Sequence, residues 1–336
     1  MGSRFFFRGS CFSFLSIFAS CSEPENTIPS FQRAIDLGCD GIETDAFVVD
    51  CGTVIAFHAD DAAGNIDEYC GEEGKNIHDY TYDEVADLGL NPDADVLFQC
   101  PKEKTEDAQI PEMKEALALF KKHGTTVYME LKGPGTEEPT LELVDELDMV
   151  DQVVFVSFDE KRLEKIHQLR RERNDDGHYK YKVALLFLRV PEDFIERAQR
   201  VGASEVQIRY DAVTSSRVQA IHDAGMRSLA WCGGPKAMRK DGTLKYMDVF
   251  NEDEQMYQCV LNTGVQAMCV DRPDLLLKMV ENYPPPNPVA ECLVEVGAVD
   301  LVDDDPNSTN MMGEKKAKEL VEEVLEEVNI GVAVSP

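Results

Sequence analysis

Residues 24–60 read PENTIPSFQRAIDLGCDGIETDAFVVDCGTVIAFHAD. Apolar residues recur at helical spacing over 30–37, and the segment stops at Gly38, a residue suited to the left-handed backbone that ends helices. Residues 41–45 and 54–58 then read as strands, joined by a turn at Asp50-Cys51-Gly52. Side chains alternate along a strand, so Glu43 and Asp45 point to one face. Two carboxylates at the end of a strand make an oxygen-rich site for a hard cation. His58 follows one short hairpin later, and a titratable imidazole beside a metal pair is the start of a hydrolytic site.

Outward from this stretch the chain settles into a beat. Helical patterns over 112–122, 140–147, 160–171, 191–201, 214–224 and 251–263 alternate with apolar strands at 126–132, 153–158, 182–188, 205–208, 227–231 and 267–270. A helix over 274–280 closes the series. Alternating elements with near-continuous apolar strands imply parallel strands buried on both faces. The strand at 41–45 and the later ones make seven, with the His58 strand as a hairpin excursion. A closed barrel of this type has eight strands, and the unassigned apolar run before Pro24 is residues 5–19. The expected fold is α/β: a (β/α)8 TIM-type barrel with an imperfect first strand, plus a C-terminal amphipathic helix. Residues 59–105 are polar and punctuated, with a short helix over 82–88. They are too long for a plain connection and read as a lid, a subdomain or substrate-facing surface.

The two ends read differently. Residues 1–21 have Arg4 and Arg8 before an apolar run from Cys11 to Ala19, and Ala19-Ser20-Cys21 has the small-residue look of a cleavage site. This signal-like or aberrant segment leaves the compartment open between cytoplasmic and secreted. Cleavage near Cys21 would remove the candidate first strand and leave a sheet with two unpaired edges, so residues 5–19 are expected to stay in the fold. The barrel is expected over 22–282. Residues 283–311 form a Pro-rich acidic linker, and within 312–329 Ala317, Leu320, Val321, Val324, Leu325 and Val328 recur at helical spacing. That helix packs back on the barrel or mediates self-association. Asn307-Ser308-Thr309 matches a glycosylation sequon.

The chain has 336 residues, 43% of them hydrophobic, which is ample for one large barrel and an appendage. Its 64 acidic residues against 33 basic ones give a net charge of -31. That balance argues against a nucleic-acid partner, whose phosphates need a basic footprint. An anionic substrate would need a local positive centre from a metal or a few placed Lys and Arg. The 10 cysteines include no C-x-x-C pair, so a zinc ribbon is not expected. Cys39, Cys259 and Cys269 read as small core residues. Cys70 and Cys100 can pair in an oxidising compartment. His78, His123, His167, His178 and His222 read as surface residues, and Ser157 is not in a nucleophile elbow.

Pro24-Glu25-Asn26-Thr27, Ser30-Phe31, Ala34, Gly38, Asp40, Ile42-Glu43, Asp45, Gly52 and His58 together resemble the head of the glycerophosphodiester phosphodiesterase family. Later blocks follow in the family's order: Glu130-Leu131-Lys132, Ser157-Phe158-Asp159, Trp231 at a strand end, and Asp271-Arg272-Pro273-Asp274-Leu275. One block alone is a weak signal, but the ordered set is specific. The resemblance covers about residues 22–280 and implies a barrel that cleaves a glycerophosphodiester to glycerol 3-phosphate and an alcohol with a divalent cation. A related lipase D or phosphoinositide phospholipase C fits the barrel type, but the E-L-K and D-R-P-D-L blocks look more like the first family.

The residues themselves support matching roles. Glu43, Asp45 and Glu130 would ligate the metal, with Mg²⁺ or Ca²⁺ favoured over zinc by an all-carboxylate set. Lys132 shares a strand face with Glu130 and would meet the substrate phosphate. His58 would act as general acid or base, and Trp231 would wall the pocket against the glycerol or the alcohol. One departure stands against the family's pattern. The family's first strand ends in His-Arg-Gly, about eight residues before the P-E-N-T proline, where this chain has Ser16-Ile17-Phe18; Phe7-Arg8-Gly9 is the only similar tripeptide. Ala59 also stands where an Asp usually follows the histidine, with Asp60 displaced by one. A foreign or truncated N-terminus, a binding-only relative, or another group supplying the base would each account for this.

Overall fold

The computed structural model describes residues 13–16, 23–90 except 60, 62 and 68, 109–232, 236–238, 244–246 and 252–280. The chain divides into two compact units, residues 1–292 and 293–336. The described residues all belong to the first, so the expected linker over 283–311 and the amphipathic, self-associating helix lie outside them.

Eight parallel strands form the sheet: β1 (Ser13–Ser16), β2 (Gly41–Val48), β4 (Thr126–Leu131), β5 (Val153–Ser157), β6 (Lys182–Phe187), β7 (Glu205–Arg209), β8 (Arg227–Trp231) and β11 (Ala267–Val270). They run in the order β1-β11-β8-β7-β6-β5-β4-β2, and β1 pairs with β2 as well as with β11. The row therefore returns on itself, with Ser16 opposite both Val270 and Ile42. The expected first strand exists within the signal-like segment, but it is only 4 residues long. Strand β3 (Val54–Ala56) lies antiparallel on the upper part of β2, as a hairpin excursion. That pairing explains why β2 extends to Val48 rather than stopping at Asp45. A second antiparallel pair, β9 (Lys236–Met238) with β10 (Leu244–Tyr246), follows β8; sequence periodicity did not reveal it.

The helices are α1 (Ile28–Leu37), α2 (Tyr82–Leu88), α3 (Met113–His123), α4 (Glu137–Glu146), α5 (Glu160–Leu169), α6 (Phe194–Arg200), α7 (Ser215–Asp223), α8 (Glu254–Asn262) and α9 (Pro273–Val280). Their ends follow local chemistry. Thr27 caps α1 by accepting from Ser30 N, and Gly38 ends it at φ 86°. Asp159, Thr214 and Asp253 cap α5, α7 and α8 in the same way. Among the described residues no helix is long and apolar enough to cross a membrane.

The main core lies between the strands and their helices, around Phe31, Met129, Phe155, Leu185 and Ile208. A smaller layer fills the inside of the sheet: Tyr128, Val154, Val156, Ala184, Leu186, Leu229, Ala267 and Cys269. At the start of β7, buried Glu205 accepts from Tyr128 Oη at 3.3 Å and Gln207 Nε2 at 2.8 Å, with Arg227 Nη1 at 3.5 Å. After β3, Phe57, Ile66, Tyr69, Ile77 and Val85 form a separate apolar cluster together with Phe47 of β2 and Ile55 of β3.

One reading of the sequence is corrected by packing. His167 is buried and stacks on Tyr179, and the Nε2 atom of His78 is sealed from solvent, its ring packed against Phe47. Cys259 is buried, as expected, and is also disulfide-bonded. Cys39 packs partly buried against the core and Cys269 is buried, as expected. Cys100 lies outside the described residues.

Candidate active site

The site stands where the strands end. Glu43 and Asp45 occupy one face of β2, and Asp45 is in register with Glu130 of β4. One oxygen from each of Glu43, Asp45 and Glu130 lies within 4.8 Å of the others. Glu43 and Asp45 are buried, and Glu130 is partly so. Lys132, two residues beyond Glu130, places Nζ 2.8 Å from Asp45 Oδ1. The other oxygen of Asp45 accepts from Asn26 Nδ2 at 3.0 Å. Asn26 is itself locked, its Oδ1 accepting from Thr44 Oγ1 at 2.7 Å and from Asp45 N at 3.2 Å.

In the sequence Asn26 stands within P-E-N-T, and nothing local assigns it a role. Its backbone is left-handed, at φ 53°, a conformation Asn tolerates better than most residues. That turn brings its amide against β2. An Asn shortly before a helix cap was the available signal, but the partner was not visible in one dimension.

The electrostatics follow from three acids around one base. Burial, then the Asp45 and Glu130 charges, pushes the Glu43 carboxyl well above its ordinary value. Burial also pushes Glu130 up to about 7, with Lys132 pulling the other way. Burial works to raise Asp45 as well, but the Lys132 ammonium and the His58 charge outweigh it, and Asp45 is lowered. Lys132 is raised, because its burial is outweighed by Asp45 and Glu130. One lysine cannot balance three carboxylates, so the cluster lacks positive charge. An all-oxygen donor set short of positive charge fits a hard divalent cation and offers no soft ligand for others.

His58 follows β3 and is half-buried. Its Nδ1 lies 2.8 Å from Ala59 O. A carbonyl can only accept, so Nδ1 donates and Nε2 becomes the atom that takes or gives a proton. The ring packs 5.9 Å from Tyr69, whose hydroxyl donates to Glu25. Glu25, Asn26, His58 and Tyr69 line one crevice. Ala59 is held at φ 60°, a conformation in which Asp or Asn is more at ease.

Trp231 ends β8 and packs on the inner layer of the sheet. Phe158, the exposed large apolar side chain among the described residues, meets it edge-on at 5.8 Å. Arg209 is in register with Trp231 and pairs with Asp211, Nε to Oδ1 at 2.6 Å. Sequence reading passed over Arg209. The signal was its period-two alignment with Glu205 and Gln207, which puts all three on the inner face.

The family model described as "Glycerophosphoryl diester phosphodiesterase family" matches residues 19–275. The glycerophosphodiester phosphodiesterase of Caldanaerobacter subterraneus subsp. tengcongensis is 24% identical over 262 residues, covering 76% of this chain and 92% of that protein. Among solved structures, an Oleispira antarctica phosphodiesterase in complex with the product sn-glycerol-3-phosphate superposes with a TM-score of 0.60 at 20% identity, over 80% of this chain and 96% of that one. The glycerophosphodiester phosphodiesterase of Agrobacterium tumefaciens gives a TM-score of 0.59 at 18% identity, over 80% and 99%. These likenesses at low identity establish a shared fold.

Proposed function

The chain belongs to the glycerophosphoryl diester phosphodiesterase family, and from that premise we propose that it hydrolyses a glycerophosphodiester to glycerol 3-phosphate and an alcohol with the help of Mg²⁺ or Ca²⁺. The observation that carries this reading is the meeting of the Glu43, Asp45 and Glu130 oxygens within 4.8 Å at the ends of adjacent strands. A divalent cation held by these carboxylates supplies positive charge against the phosphodiester in the transition state.

The chain's own residues divide the remaining work. Lys132 offers a fixed ammonium to a phosphate oxygen, and its bond to Asp45 holds it beside the carboxylate cluster. Asn26 holds the Asp45 carboxylate in one orientation. Water adds to phosphorus as one P–O bond breaks; His58 Nε2, entering protonated, delivers its proton to the departing alcohol oxygen, and the proton lost by the water passes to solvent, from which His58 is reprotonated. Trp231 and Phe158 form an apolar wall for the part of the substrate that does not react.

The test is release of glycerol 3-phosphate from a defined glycerophosphodiester. Turnover should need a divalent cation and be abolished by Glu43→Ala or Glu130→Ala; full activity in EDTA would reject the reading.

One observation favours a second reading. Strand β1 ends at Ser16, and the sequence continues Ile17-Phe18-Ala19, with no His-Arg-Gly beside the strand's end. Loss of one acid–base partner costs about 10²- to 10⁴-fold in rate. On that reading the chain binds a phosphodiester or lipid head group with little turnover. Calorimetry of a non-cleaved glycerophosphodiester beside the activity assay separates the two.

A further inference from the structure

A second charged cavity lies away from the carboxylates. About 480 Å³ in volume, it is lined by Arg171, Arg173, Arg200, His167, Tyr179 and Glu164, among others. These residues belong to α5, the end of α6 and the segment between α5 and β6. Those are the connections that lead into strands, whereas Asp45, Glu130 and Trp231 stand where strands end. The cavity is therefore at the opposite end of the sheet from the proposed active site.

Its arginines are under-paired for a chain with 64 acids and 33 bases. Among the described residues, Arg171 and Arg173 have no carboxylate partner: Arg171 Nε donates to Gln168 O at 3.4 Å, and Arg173 Nη1 donates to Gly177 O at 2.7 Å. Arg200 reaches Glu160 at 3.7 Å, but Arg197 already holds that acid more closely.

The floor is preformed. Tyr179 stacks on His167 at 3.6 Å and 8°, and the Arg173 guanidinium lies 4.0 Å over the same ring. Gly202, at φ +70°, admits this stack, since a Cβ there would come within 2.7 Å of Tyr179 and 3.2 Å of His167 Nδ1. Both nitrogens of His167 lie 3.0 Å from carbonyl oxygens, of Val201 and Tyr181. Only an imidazolium donates to both. Burial disfavours that form, and a nearby anion favours it.

Ligand size and shape follow. The volume suits a small molecule. Both faces of Tyr179 are covered, so no shelf is left for a nucleobase. Arginine forks match phosphate oxygens. We propose that this cavity binds a compact phosphate-bearing dianion, inorganic phosphate or a small phosphomonoester, through Arg171, Arg173 and Arg200.

Calorimetric titration of the full chain in EDTA, with inorganic phosphate in one arm and glycerol 3-phosphate in the other, tests this. Saturable binding is expected in the wild type and in Lys132→Gln, weakened at least about tenfold in Arg171→Gln/Arg200→Gln. Equal affinity in the two arms assigns recognition to the phosphate group; tighter binding of glycerol 3-phosphate assigns it to a phosphomonoester. Glu164→Gln, which removes a lining carboxylate while leaving every arginine, should tighten binding, and keeps the test open should the double variant misfold. No saturable binding in either arm, or binding lost in Lys132→Gln and kept in the double variant, overturns the proposal.

Discussion

Lys132 Nζ lies 2.8 Å from Asp45 Oδ1, and the two side chains are only 11% and 2% exposed. Asp45 lies on β2 and Lys132 directly follows the neighbouring strand β4; they meet because Asp45 is in register with Glu130. The pair joins the proposed metal side of the site to the proposed phosphate side.

Lys132→Met should therefore be costly twice. It strips the one base from three clustered carboxylates, and breaking a buried pair in this way destabilises by about 3 kcal/mol or more. Urea unfolding in EDTA measures the loss. A loss under about 0.5 kcal/mol, the scale of a surface pair, would mean the pair contributes as little as an exposed one.

The metal-free protein should grow less stable as pH rises. Glu130 sits at about 7 when folded, with Glu43 also raised, against about 4.3 for an unperturbed Glu. The folded state thus holds protons that the unfolded state has released. This contribution is fully present below the unfolded value and is lost as pH climbs through about 7. Asp45, being lowered, acts in the opposite sense, losing its contribution only as pH falls below its ordinary value of 3.8 toward its folded one. Thermal unfolding between pH 5 and 8 in EDTA should show Tm falling, and saturating Mg²⁺ or Ca²⁺ should raise Tm most at the alkaline end. A Tm that climbs with pH in EDTA would contradict this.

Asn26→Gly should preserve the left-handed backbone at φ 53° while deleting the clamp on Asp45. Removing a partner that orients a metal ligand typically lowers metal affinity or activity by about 10- to 100-fold. Thr44→Val removes only one hydrogen bond to Asn26 Oδ1 and should have a smaller effect. Apparent metal affinity and kcat, measured for both variants, distinguish an orienting role from none; equal and negligible effects would discard the clamp.

Asp148 is exposed and held at φ 50°. Asp148→Gly removes the strain of a side chain in the left-handed region, worth about 1 kcal/mol before the entropy of glycine is charged against it. A small gain in Tm with unchanged activity is expected. A clear loss would show that the carboxylate itself matters.

Much of the fold was legible because it rests on short-range periodicity. The strands at Gly41–Val48, Thr126–Leu131, Val153–Ser157, Lys182–Phe187 and Ala267–Val270 are apolar and separated by amphipathic helices, so their parallel order followed. Residues 13–16 were ambiguous. Phe and Leu suit a strand and a signal segment equally, and only the open places beside β11 and β2 distinguish them. The β9–β10 pair joins two strands of 3 residues each, too short to carry such a period.

For the site, two-residue spacing put Glu43 with Asp45 and Glu130 with Lys132 on single faces, and that is a property of any strand. What the sequence by itself determined is thus the element order and the composition of each face. Tertiary structure alone decided that Asp45 is level with Glu130, that Lys132 chooses Asp45, that Asn26 reaches back to clamp it, and that His78 and His167 are covered. Those outcomes depend on strand register and on segments crossing from far along the chain, and neither leaves a local periodic trace.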